Sequence, residues 1–276
     1  MFKNNHNTLG QLIGQGRTAK IYEYGQDKVV KLFYKNFEDN IDSEFKYSQL
    51  IMDNGISTPR VYNTIQIGQQ KGIVYEKVLG VDLGKAISKY PSKTSELATK
   101  AAAVHAKINS IYIDGLPDQY DMFNSSISKA KELSKENKKK IIKYCATLPN
   151  TKKLCHGDLH VKNYIYCNDN LFAIDWISAY SGHPASDLAR VMLLMNSPTI
   201  TKPLPFAKMQ IVKLMLKKYN KTFYNTYINV MKFDISLVDK FILPIATMRL
   251  NENVKYEKEW LLDIISNKLQ DLDSNL

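Results

Sequence analysis

Hydrophobic and polar positions alternate through the first part of the chain. Ala19 to Tyr24 and Lys28 to Phe33 have the period-two pattern of strands, with Gly25-Gln26-Asp27 as the turn between them. Ile41 to Asp53 changes to helical spacing and is stopped by Asn54-Gly55. Val61 to Ile67 and Gly72 to Val78 return to the strand pattern. After Gly80 the pattern is mostly helical. Ser95 to Ile111 is Ala-rich and predicts a helix, Ser126 to Cys145 predicts another, and nearly everything from Pro184 onward reads as helix. One exception interrupts this. Tyr164 to Tyr166 and Leu171 to Ile174 are short β-type runs on either side of Asn168-Asp169-Asn170, a hairpin signal. The expected class is α+β, with a small β-rich lobe over residues 1–78, a larger mainly helical lobe over 79–276, and a connection near Glu76 to Gly84.

The chemistry-bearing residues fall at the edges of these elements. In His156-Gly157-Asp158-Leu159-His160-Val161-Lys162-Asn163, four residues separate Asp158 from Asn163. That is the D-x-x-x-x-N spacing of phosphoryl-transfer loops. The Asp can accept a hydroxyl proton, and the Asn offers a neutral oxygen to a metal ion. His156 is expected to be buried beside the loop and to brace it. Ile174-Asp175-Trp176 follows on a strand end, where a hard carboxylate oxygen suits Mg²⁺. Upstream, Gly14-Gln15-Gly16-Arg17-Thr18-Ala19 approximates a phosphate-covering glycine loop, with Ala19 in place of the third glycine. Lys31 stands among apolar strand residues, and a buried ammonium there needs a carboxylate or phosphate partner. Glu44 is the preferred partner. It shares a helix face with Tyr47 and Ile51; Asp42 is the competitor.

Composition narrows the classes. The chain has 276 residues, 44% of them hydrophobic. It contains no apolar run of about 18 residues, so no membrane partner is expected. Met1 to Gly10 is polar and lacks the apolar core of a secretory signal. Cys145, Cys155 and Cys167 have no framework spacing, which predicts free thiols in a reducing, cytoplasmic setting. The net charge of +11 is concentrated in part between Lys129 and Lys143. That run is expected to be a solvated helix face. No aromatic residues interleave its lysines, which argues against a single-stranded nucleic-acid partner.

Taken together, His156 through Asn163, Ile174-Asp175-Trp176 and Gly182-His183-Pro184-Ala185-Ser186-Asp187-Leu188-Ala189 resemble the aminoglycoside phosphotransferase and choline kinase superfamily. The resemblance runs from the Gly14 loop to about Asn196. It implies a protein-kinase-like fold and a small-molecule kinase that moves the γ-phosphate of ATP to a hydroxyl. It also implies Asp158 as base, Asn163 and Asp175 as magnesium ligands, and Lys31 with Glu44 as the phosphate-anchoring pair. Asp187 would brace the catalytic loop. Glu76 and Val78 would lie on the hinge that reads the base, with Tyr75 at the gatekeeper position; a tyrosine there keeps GTP as an alternative donor.

For the acceptor, the sequence offers an acidic stripe, Glu252, Tyr256, Glu259 and Asp263, expected on one face of the last helix opposite Leu261, Ile264 and Ile265. A surface helix carries such a face in any case. The acceptor is therefore expected only as a small hydroxylated molecule, and the oligomeric state is not encoded in any recognisable pattern. Two other classes remain: a catalytically silent nucleotide-binding protein of the same fold, and a basic nucleic-acid-binding protein.

Overall fold

The computed structural model describes residues 9–201 and 204–274. The chain divides into two compact units, residues 1–83 with 162–177, and residues 84–161 with 178–276.

The first unit is built on a five-stranded antiparallel sheet of β1 (Leu9–Gln15), β2 (Ala19–Tyr24), β3 (Lys28–Phe33), β4 (Val61–Ile67) and β5 (Gln70–Glu76). Its strand order is β1-β2-β3-β5-β4. Period-two alternation sorts the side chains onto two faces. Val30, Leu32 and Val74 pack on one with Tyr22, Tyr24, Ile65 and Ile67. Ala19, Phe33, Ile73 and Val61 pack on the other, where Ile41 and Phe45 of α1 (Ile41–Asp53) meet them. Lys31, one residue from Val30 and Leu32, therefore lies on the α1 face. Helix α1 spans the stretch its periodicity predicts. β5 begins and ends two residues earlier than the apolar run suggests, because the turn before it comes at Gly68, whose φ is +60°.

A second sheet in this unit has the order β6-β8-β9, from β6 (Val81–Asp82), β8 (Tyr164–Cys167) and β9 (Asn170–Ala173). Asn168 and Asp169 form the two-residue loop of the β8–β9 hairpin. Both have positive φ, 45° and 68°, as the tight primed turn requires.

The second unit is mainly helical. Helix α2 (Leu83–Lys89) begins at the boundary, followed by α3 (Thr94–Ser110), α4 (Gln119–Lys129), α5 (Lys135–Cys145), α6 (Pro184–Met195), α7 (Phe206–Met231), α8 (Ser236–Leu250) and α9 (Lys258–Ser274). β7 (Lys153–Cys155) and β10 (Tyr180–Gly182) pair antiparallel. Small residues on α3, Ala98, Ala101, Ala102 and Ala106, are fully buried and let α7 approach closely. Tyr219, Phe223 and Tyr227 of α7 line that contact at four-residue spacing and stack in sequence, with His105 of α3 against Tyr227 at 4.9 Å. Helix α6 carries Pro184 in its first turn and is capped by His183, whose Nδ1 accepts from Ala185 N.

Two expectations change here. The helix predicted over Ser126 to Cys145 is two helices. The chain leaves helical geometry at Ala130, and Ser134 starts α5 by accepting from Asn137 N at 3.1 Å. Within the basic run, Lys131, Lys135, Lys139 and Lys143 are exposed while Ile141 and Cys145 are buried, so α5 is an amphipathic surface helix. The acidic stripe also does not form as one helical face. α8 ends at Leu250, Asn253 and Tyr256 have positive φ, and α9 begins only at Lys258. Glu252 and Tyr256 lie in the connecting turn, whereas Glu259 and Asp263 are on α9.

Cys145, Cys155 and Cys167 are free thiols. Burial pushes the Cys145 thiol up to about 12 and Cys155 well above its ordinary value, which leaves both unreactive. No helix among the described residues is long and apolar enough to cross a membrane.

Candidate functional site

Lys31 is the centre of charge in the first unit. Its side chain leaves β3 toward α1, and its residue is 8% exposed. Nζ donates to Glu44 Oε1 at 2.5 Å and to Asp175 Oδ1 at 2.9 Å. Burial alone would drive the ammonium toward neutrality. The two carboxylates outweigh it and hold the Lys31 pKa above its ordinary value. Glu44 sits on the inward face of α1, fully buried, and Tyr75 Oη also donates to its Oε1 at 3.1 Å. Tyr75 lies on β5 opposite Val29, and its hydroxyl shares a 3.2 Å hydrogen bond with Ser48 Oγ, one turn along α1 from Glu44.

The glycine loop is the β1–β2 hairpin. Gly14 pairs with Ile21, and Gly16 N donates to Ala19 O at 2.9 Å to close the turn. Glu76 ends β5, with its N–H donating to Arg60 O and its Oε2 accepting from Arg60 N. Val78 follows outside the strand and is partly buried, and the N–H of its neighbour Lys77 donates to Asp27 O.

Asn163 and Asp175 flank the open end of the β8–β9 hairpin. Ile174 N donates to Asn163 O at 3.0 Å, one step beyond the Tyr164–Ala173 pair. Asp175 has φ of +71°, a conformation Asp tolerates better than most residues. Trp176 locks the next position by burying its ring and donating to Thr58 Oγ1 at 3.0 Å. The two oxygen-bearing side chains thus come from Asn163 and from the residue that follows its backbone partner Ile174. No cluster of three His, Cys, Asp or Glu side chains able to hold a metal occurs among the described residues. One carboxylate and one amide oxygen, completed by phosphate oxygens and water, is a donor set that Mg²⁺ accepts.

In the second unit the loop carrying Asp158 is fixed by buried acceptors. Asp187 on α6 is fully buried and accepts four hydrogen bonds, from His156 N (2.9 Å), Gly157 N (2.8 Å), His105 Nε2 (2.8 Å) and Asn109 Nδ2 (2.9 Å). Burial opposes its charge, but His105 and these donors hold its carboxyl far below the ordinary range. His156 is buried and its Nδ1 accepts from Asp158 N at 3.3 Å. Gly157 has φ of +78°, and a Cβ there would overlap the Ser178 carbonyl, so the turn into Asp158 admits only glycine.

Arg190, one turn beyond Asp187 on α6, has no place in the sequence expectations. It is 5% exposed and donates to Gly157 O at 3.0 Å, to Asp158 Oδ1 at 3.1 Å and to Glu252 Oε1 at 2.5 Å. Burial disfavours its charge, yet Glu252 and Asp158 hold its pKa above the ordinary value. The available signal was an arginine within the apolar run Leu188-Ala189-Arg190-Val191. The structure brings Glu252 to this arginine, whereas Glu259 and Asp263 stay exposed on α9.

A search of curated protein sequences gives no match. The sequence model described as the phosphotransferase enzyme family matches residues 10–207. Solved structures agree in fold at low identity. The streptomycin–ATP–APH(2")-IIa ternary complex is 17% identical, with 97% of this chain and 93% of that one covered at a TM-score of 0.56. Amicoumacin kinase hAmiN, solved with AMP-PNP, Ca²⁺ and Ami, is 13% identical over 98% and 89%, with a TM-score of 0.58. A choline/ethanolamine kinase family protein from Mesorhizobium loti is 12% identical over 96% and 88%, at 0.56. The protein-kinase-like fold and the family match point the same way: this chain belongs to the phosphotransferase enzyme family.

Proposed function

We propose that the protein is a small-molecule kinase that transfers the γ-phosphoryl group of ATP to a hydroxyl of a small acceptor, with GTP as the alternative donor. The observation that carries this reading is the Lys31 ammonium held between Glu44 and Asp175. A buried cation fixed by two carboxylates, one of them the candidate metal ligand, is suited to meet phosphate oxygens. Gly14 and Gly16 would let the β1–β2 turn lie close to the phosphates, and the Glu76–Val78 stretch would offer backbone groups to the base. Asn163 and Asp175 would hold Mg²⁺, which when bound neutralises charge on the phosphates.

In the proposed reaction Asp158 orients the acceptor hydroxyl and takes its proton. The hydroxyl oxygen forms a bond to the γ-phosphorus as the bond from phosphorus to the β,γ-bridging oxygen breaks. The nucleoside diphosphate leaves with that electron pair. His156, Gly157 and Asp187 hold the loop so that the Asp158 carboxylate is presented without reorganisation.

The solved relatives named above carry streptomycin or amicoumacin, or belong to a choline and ethanolamine kinase family. This supports an acceptor that is small and hydroxylated. Both Glu252 oxygens are already engaged by arginines, so a cationic acceptor would draw instead on the exposed Glu259 and Asp263. The test is nucleotide consumption by purified protein with ATP or GTP, Mg²⁺ and a panel of aminoglycosides, choline, sugars and amino alcohols. Turnover that needs Mg²⁺ and disappears in Asp158→Asn supports the reading. Nucleotide binding without turnover on any acceptor would instead favour a silent nucleotide-binding protein.

A further inference from the structure

We propose that Arg190 is the positioning residue for the Asp158 carboxylate, and that Glu252 holds Arg190 in that role; the proposal rests on the phosphotransfer reading above. The Arg190 guanidinium contacts two successive residues of the loop. Nε donates to the Gly157 carbonyl at 3.0 Å and Nη2 to Asp158 Oδ1 at 3.1 Å. One rigid planar group therefore fixes both the loop backbone and the rotamer of the side chain that follows it.

Arg190 is itself held from the far side. Glu252 accepts from Arg190 Nη2 through Oε1 and from Arg249 Nη1 through Oε2, each at 2.5 Å. Arg249 in turn donates to both oxygens of Glu257, at 2.6 and 3.0 Å, and Glu257 accepts from the Ser197 hydroxyl. The result is an alternating series Asp158, Arg190, Glu252, Arg249, Glu257. With three carboxylates against two guanidinium groups, one negative charge is left over.

Stability alone is a poor reason for such a series. A buried ion pair often stabilises a fold no better than apolar residues of the same volume, and the α6 residues on either side of Arg190, Leu188, Ala189, Val191 and Leu193, are apolar and buried. The series ends at the candidate base, which is where fixed geometry matters to rate.

The experiment is a double-substitution cycle read by Mg²⁺-dependent ATP hydrolysis, with water as acceptor. It uses the full chain carrying Arg190→Met, Arg190→Lys, Asp158→Asn, and each Arg190 change combined with Asp158→Asn. Arg190→Met is expected to lower kcat by about 10- to 100-fold, the scale of a misplaced reacting group, with the nucleotide KM unchanged. Arg190→Lys recovers part of that loss. In the Asp158→Asn background either Arg190 change has little further effect, because Arg190 acts through Asp158.

An Arg190→Met protein that folds and turns over like the wild type would overturn the proposal. So would an equal fractional loss with and without Asp158. Where Arg190→Met does not fold, the Arg190→Lys arm of the cycle decides by the same criterion. If the wild type and Asp158→Asn hydrolyse ATP equally, the phosphotransfer reading itself fails. A failure confined to the Arg190 variants leaves that reading standing.

Discussion

The Tyr75 hydroxyl illustrates how a single atom ties two elements together. It donates to Glu44 and shares a hydrogen bond with Ser48, so β5 is fastened to α1 beside the Lys31 pair. Burial and the nearby Glu44 carboxylate push the Tyr75 pKa well above its ordinary value, and the hydroxyl stays a donor at any working pH. Tyr75→Phe keeps the ring and removes only these bonds. It is expected to lower stability by about 2–3 kcal/mol, since one of the two bonds is to a buried carboxylate, as measured by urea unfolding. Gly157 is a harsher case. Gly157→Ala requires a left-handed backbone that costs an L-residue roughly 1–2 kcal/mol, in addition to the overlap with Ser178. Loss of nucleotide turnover beyond the loss of stability is expected, with the melting temperature recorded on the same sample. Unchanged turnover would mean that the loop tolerates another path.

At this scale the sequence was most informative where a residue stood against its local pattern. Lys31 among strand hydrophobics demanded a partner, and α1 periodicity selected Glu44 over Asp42; the structure brings Lys31 and Glu44 together. Arg190 presented the same kind of signal on α6, but its partners Gly157, Asp158 and Glu252 lie far along the chain, where no periodicity links them.

Among the elements, α6 and the loop it supports are coupled through Asp187. Its carboxylate accepts from two backbone N–H groups of the loop and from two side chains of α3. Because its folded pKa is depressed, the stability it contributes is present above the unfolded value of about 3.9 and is lost as pH falls below that value. Asp187→Asn is expected to cost roughly 3 kcal/mol at pH 7, the scale for breaking a buried charged pair. It should also flatten the fall in stability below about pH 4. Urea unfolding at several pH values measures both effects. An unchanged acid slope would show that other carboxylates carry it.

Strand and helix types were legible from periodicity, since burial on one face imposes the pattern directly. The β8–β9 hairpin was legible from Asn-Asp because few residues adopt positive φ at two successive positions. Breaks inside polar helical stretches were not. The chain leaves α4 at Ala130 and Ser134 starts α5 without disturbing composition, and the turn carrying Asn253 and Tyr256 separates Glu252 from α9 though the spacing across it remains helical. The short pair β7 and β10 leaves no legible trace, because three-residue strands carry too little pattern to read.

At the level of the molecule, each unit holds part of the proposed chemistry. Lys31, Glu44, Asn163 and Asp175 belong to the unit built on the five-stranded sheet. Asp158, Asp187 and Arg190 belong to the helical one. The reaction class followed from short motifs at fixed spacing. The acceptor did not, because no short motif in the sequence names one.

The central claim is that Asp158 serves phosphoryl transfer that needs Mg²⁺. The direct measurement is ATP and GTP consumption by the purified wild type and by Asp158→Asn, with Mg²⁺ and with chelator, across the acceptor panel. Acceptor-stimulated turnover is expected in the wild type with Mg²⁺, and a loss of at least about 100-fold in Asp158→Asn, in line with removal of a general base. A wild type that neither binds nor hydrolyses either nucleotide, or an Asp158→Asn protein as active as the wild type, would contradict it.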